Sequence, residues 1–264
     1  MIHNKIYKYQ NQNRYKMIEI FDRIKKYYRF DLEELKAIII GALILGFMIS
    51  FSEWGLEKFN FIYGLYHLIG GILIAILSLF FHVSAQKIIG LQIGFTVKYK
   101  LWWYGLLAGL IITFITNGKV WWIIVPGGVT CSIIGRYRLG KFRYGLNPIS
   151  LAFIGIIGPA ASIIFGTIFK NLDIFLGIIN PLIDKIFIFN LVYAICTMLP
   201  IPPLDGHLTF FASRPWYVFL FSLVFIYSIL IIIFSIYSWI LALVIAGLTV
   251  FVYYLLYERK AWMG

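Results

Sequence analysis

The sequence predicts an all-α polytopic membrane protein, with about six transmembrane helices and one short membrane-associated β segment. Three observations carry that expectation. Of 264 residues, 61% are hydrophobic and only 13% charged, against about 25% charged in a soluble domain. The apolar residues come in long uncharged runs, which lipid tolerates and water does not. The Lys and Arg residues behind the net charge of +12 gather at the ends of those runs. That is the positive-inside pattern rather than one basic patch, so nucleic acid is excluded as a partner and the lipid bilayer is expected instead.

Residues 1–36 form a basic, Tyr-rich arm with no apolar signal-peptide core. Within it Met17, Ile20, Phe21, Ile24, Tyr27 and Tyr28 recur at helical spacing among Lys and Arg. This predicts an amphipathic helix lying on the membrane. Residues 37–257 make the transmembrane domain, and 258–264 a short tail. A span needs about 20 apolar residues. The uncharged stretches 59–86, 101–118, 144–169 and 186–204 each fit one. The shorter 37–52 stretch spans with Lys36 and Glu53 at the interfaces. Residues 215–257 suffice for two spans, with a break near Ser235–Ser238. Residues 120–135 contain Pro126-Gly127-Gly128 and read as a return segment or re-entrant loop. Between 92 and 101, Ile93, Phe95, Val97, Tyr99 and Leu101 alternate with polar residues or Gly, which is strand periodicity.

The basic arm, Lys87, Lys98, Lys100, the Arg136, Arg138, Lys141 and Arg143 cluster, and Arg259 and Lys260 fall on one side if 101–135 enters and returns. The opposite side carries Glu53, Glu57, Lys58, Lys119, Lys170, Asp173, Asp184 and Lys185, which nearly balance. Both termini are therefore expected in the cytoplasm, with the protein multi-pass in the cell membrane. Cys131 and Cys196 lie in apolar surroundings and read as reduced structural residues. Gly70-Gly71 and the Gly105/Gly109 pair are expected to let helices pack closely.

Ionisable groups inside a membrane are costly and mark function by default. Asp205 follows Pro200-Ile201-Pro202-Pro203-Leu204, where three prolines in four residues end any helix. An unwound segment at membrane depth survives only inside protein or beside a wet cavity. The charge count places His82 at a similar depth on the same side. A site shared by His82 and Asp205 is therefore expected, and His207, two residues on, can join it. His67 lies fifteen residues before His82, about 22 Å along the helix, and cannot. The plain alternative is a solvated turn aspartate and a histidine satisfied by a neighbour.

Over residues 65–212 the chain resembles the site-2 protease family of intramembrane zinc metalloproteases, in an archaeal-like branch. Pro200-Ile201-Pro202-Pro203-Leu204-Asp205-Gly206 matches the Pro-x-Pro-x-Leu-Asp-Gly signature, whose Asp is a zinc ligand in that family. Gly158-Pro159 matches the start of Gly-Pro-x-x-Asn. The strand at 92–101 and the Pro126-Gly127 loop fall where the family has its membrane-embedded sheet and hairpin. The zinc motif, His-Glu-x-x-His, is degenerate. Here His82-Val83-Ser84-Ala85-Gln86 keeps the first His, puts Val83 at the general-base position and Gln86 at the second ligand. Val takes no proton, and a neutral amide is a poor zinc donor beside imidazole. Ser162 stands for the Asn of the Gly-Pro motif, and Thr197 for an Asn before the proline segment.

The resemblance implies the fold and not the catalysis. The expected function is a catalytically inactive homologue, a pseudoprotease without a cofactor, that binds a transmembrane protein segment or peptide along the strand at Phe95 and Val97. Two alternatives stand beside it. One is an active intramembrane zinc metalloprotease with a non-standard metal site of His82, Asp205 and His207. The other is an ion-coupled transporter using Asp205 at the broken helix.

Overall fold

The computed structural model describes residues 18–54, 59–134, 147–176, 181–234 and 238–258. The Arg136–Arg143 cluster, the first part of the arm, most of the break expected near Ser235–Ser238 and most of the tail lie outside the described residues.

The chain is an all-α polytopic membrane protein with one small sheet. Its elements are α1 (18–27), α2 (Leu32–Ser50) with a 3₁₀ turn (Phe51–Trp54), α3 (Phe61–Ile93), β1 (Phe95–Leu101) and α4 (Trp103–Ile115). They continue with β2 (Gly127–Ile133), α5 (Pro148–Leu176), α6 (Pro181–Thr197), α7 (Asp205–Ala212), α8 (Arg214–Ile233) and α9 (Ser238–Tyr253), which ends in a π turn (Tyr254–Glu258). Five helical segments, built on α2, α3, α5, α8 and α9, are long and apolar enough to cross a bilayer.

The 101–118 stretch was expected to cross; instead α4 has 13 residues, about 20 Å at 1.5 Å per residue. The chain turns at Asn117, whose φ is 51°, and Gly118, whose φ is 75°, and then runs back beside α4. The return path is close because Gly105 and Gly109 face it: a Cβ on either would lie 2.6 Å from a carbonyl oxygen, Val125 O and Ile123 O respectively. α2 and α3 approach in the same way, with a Cβ on Gly71 falling 2.8 Å from Gly46 O.

α3 stops where Gly94 takes φ 100° and its N–H reaches back to Gly90 O and Leu91 O, the left-handed cap that glycine supplies without strain. The strand read at 92–101 begins after this cap. β1 and β2 are antiparallel in a register that sets Val97 against Cys131 and Tyr99 against Val129. The Pro126-Gly127-Gly128 segment therefore leads into a strand rather than remaining a loop. The core gathers around Leu45, Leu79, Val83, Phe95, Tyr99 and Phe189, where α2, α3, α6 and the sheet meet. By contrast, α8 and α9 form an outer hairpin whose Ile232, Leu243, Leu248 and Phe251 are exposed, a surface suited to lipid.

Candidate functional site

α3 carries a polar stripe at helical spacing. Ser78, His82 and Gln86 recur every fourth residue, share one face and are all buried. Each meets a different partner. The Asn190 amide on α6 donates to Ser78 Oγ at 2.9 Å and to Ile186 O at 2.8 Å. Gln86 Nε2 donates to Ile154 O on α5 over a long 3.3 Å, and Gln86 Oε1 has no partner among the described residues.

His82 sits between them and is 2% exposed. Its Nε2 lies 2.7 Å from Asp205 Oδ2, and its Nδ1 lies 2.8 Å from Ser162 Oγ. The Tyr193 ring covers one face, 4.7 Å between centroids. Asp205 is 1% exposed, and its Oδ1 is unpartnered among the described residues. The geometry admits one arrangement with an ionised Asp205 and a neutral imidazole. In it Nε2–H donates to Asp205 Oδ2, and Nδ1 accepts from the Ser162 hydroxyl.

Four local features bring these groups together. The α6 helix ends at Thr197, whose hydroxyl donates back to Tyr193 O at 3.0 Å. The proline segment then turns so that α7 begins at Asp205 itself. β2 abuts the same turn, with Gly128 against Pro203 O, a contact that leaves no room for a Cβ. On α5, Gly158 faces α3 so closely that a Cβ there would overlap His82 Nε2 and lie 2.6 Å from Gln86 Nε2. The glycine of the Gly-Pro pair is thus needed for the approach of α5 to His82.

The sequence residues distribute as follows. His82, Ser162 and Asp205 meet. Val83 and Gln86 are buried beside them, Val83 inside the apolar core. His207 is half-buried and its Nδ1 contacts Leu204 O on its own turn. Among the described residues, no group of three His, Cys, Asp or Glu could hold a metal ion. A zinc ion would find one imidazole and one carboxylate, already bonded to each other, plus a neutral amide. That donor set does not fit the metal.

The edge of β1 is also decided here. Tyr99 N–H donates to Glu34 Oε1 at 2.8 Å, and Val97 O accepts from Lys87 Nζ at 3.0 Å. Glu34 and Lys87 are themselves an ion pair at 2.9 Å, both buried. The outward-facing backbone groups of β1 at Val97 and Tyr99 are therefore occupied, and the side chains of Phe95 and Val97 are buried in the core. Antiparallel bonding alternates, so the N–H and C=O of Val129, Cys131 and Ile133 on β2 point away from β1. No hydrogen bond meets them among the described residues. At the same end, the exposed Lys98 ammonium beside Asp31, 2.6 Å away, holds that carboxyl below the ordinary carboxylate range, and Asp31 raises Lys98 in return.

Sequence reasoning missed Glu34, which it counted with the basic arm, and Ser78 and Asn190, which are uncharged. The signal for Ser78 was its place four residues before His82. No family model, curated protein or solved structure matches the chain.

Proposed function

We propose that this chain is a site-2-protease-like membrane protein that has lost the metal-dependent centre and binds a transmembrane or extended peptide segment, with both termini in the cytoplasm. The observation that carries this reading is the 2.7 Å contact between His82 and Asp205. It joins α3 to the proline break across 123 residues, the pairing that the degenerate motif and the Leu-Asp-Gly signature imply together. Val83, buried in the core, leaves no base beside His82, and a base is worth about 10²–10⁴ in rate.

The binding route is addition of a strand to β2, where backbone donors and acceptors supply affinity and alternate side chains supply selectivity. Val129, Cys131 and Ile133 have this edge unpaired among the described residues, and Gly128 beside Pro203 brings it next to the Asp205 turn. Photocrosslinkers at Thr130 and Ser132, the exposed side chains of β2, should capture a protein segment in membranes, while one at the buried Val97 should not. Capture at Val97 alone, or none at β2, contradicts the reading.

A further inference from the structure

We propose that Ser162, His82 and Asp205 form a metal-independent nucleophilic centre that acts on a lipid-soluble ester. This goes beyond peptide binding on β2 and does not depend on it. Its basis is the order of three groups. A hydroxyl lies 2.8 Å from one imidazole nitrogen, and a carboxylate 2.7 Å from the other. Nucleophile, base and orienting acid are recognised by this connectivity and not by their order in the chain. The three come from α5, α3 and α7, so their meeting is a product of the fold. Their separation in sequence, 80 residues from Ser162 to His82 and 123 from His82 to Asp205, rules out a local turn as its origin.

The chemistry closes without a metal or a redox partner. Ser162 Oγ bonds to the ester carbonyl carbon as its proton passes to His82 Nδ1, while Asp205 holds the Nε2 proton and stabilises the imidazolium. The C–O bond to the alkoxide then breaks, and the alkoxide takes the proton from Nδ1. Water attacks the acyl-serine in the same way, its proton passing through Nδ1 back to Ser162 Oγ. Gln86 Nε2 is one turn from His82 and, among the described residues, is held by a long 3.3 Å bond to Ile154 O, so it is a side-chain N–H that could turn to the developing oxyanion.

The serine is fully buried, so substrate entry requires a local opening, and α5 is the element that would supply it. Pro159 lies three residues before Ser162 inside that helix and has no N–H for the carbonyl four residues back. Gly155 and Gly158 precede it, facing α7 and α3 respectively. α5 therefore lacks one backbone hydrogen bond in the turn before the serine. The outer surface there is apolar, with Ile164 and Ile168 exposed, which selects a substrate dissolved in lipid.

The test uses the full chain in phosphatidylcholine vesicles and a long-chain alkyl fluorophosphonate, which forms an O–P bond with an activated serine and releases fluoride. Peptide mass spectrometry of the wild type should find the adduct on Ser162. It should be absent in Ser162→Ala and His82→Gln. Asp205→Asn, which keeps the side chain's shape, should label at least about 100-fold more slowly. Absence of an adduct on wild-type protein that melts cooperatively overturns the proposal. So does an adduct on another residue, or a Ser162 rate unchanged by Asp205→Asn. Site mapping on the wild type decides the matter even if a variant fails to fold.

Discussion

Lys87 Nζ lies 2.9 Å from the Glu34 carboxylate, and both side chains spend their remaining capacity on strand β1 and the segment before α2. Glu34 also accepts the Asp31 N–H at 2.9 Å, and the Lys87 ammonium lies 4.7 Å over the Phe30 ring. The pair thus closes the β1 edge and ties the arm to α3. Removing one partner leaves the other charge buried. Glu34→Ala or Lys87→Met should each destabilise by about 3–5 kcal/mol, and the double variant Glu34→Leu/Lys87→Met by less than the sum. Thermal unfolding in detergent compares them.

The approach of α5 to α3 admits no side chain at Gly158. Gly158→Ala should cost about 1–3 kcal/mol by forcing the helices apart. Gly247→Ala is the control: a Cβ there meets nothing within 4 Å, and replacing an exposed helical glycine should gain about 0.5–1 kcal/mol. Equal melting shifts in the two variants would contradict the packing described.

His82 and Asp205 should behave as one unit. A double-mutant cycle with His82→Ala and Asp205→Ala should give an interaction energy above about 1 kcal/mol, since each single change orphans a buried partner. A cycle of His82→Ala with Ser228→Ala should be additive, because among the described residues Ser228 bonds within its own helix, to Val224 O at 2.7 Å.

The pH dependence of the Asp31–Lys98 pair follows from the directions of its shifts. Asp31 is held below 3.8, so its contribution is present above that value and is lost as pH falls through the folded-state value. Lys98 is raised above 10.5, so its contribution is intact below that value and is lost as pH rises through the folded-state value. The pair should therefore add no pH dependence between about pH 5 and pH 9. A carboxyl NMR titration of Asp31 should show a midpoint below 3.8 that rises in Lys98→Met.

Long uncharged runs made α2, α3, α5, α8 and α9 legible, because lipid imposes that composition on any spanning helix. The same rule misled at 101–118: apolar content does not reveal that Asn117 and Gly118 turn the chain after 13 helical residues. β2 was hidden because its partner lies some 30 residues earlier and its exposed Thr130 and Ser132 alternate over only a short span. The depth of His82 and Asp205 followed from charge placement, so their convergence was expected. Ser162 as the partner of His82 Nδ1 was not, since a serine in an apolar helix carries no periodic signal. Glu34 carries no signal of its own beside Glu33 and Lys36; only the fold, by placing Lys87 and β1 against it, makes it a buried residue.

Zinc content of the purified protein tests the account most directly. Mass spectrometry of metal in the wild type and in Val83→Glu/Gln86→His, after the same chelator wash, should find about one zinc per chain in the double variant and none retained in the wild type. Stoichiometric zinc in the wild type, lost in His82→Ala, would contradict it.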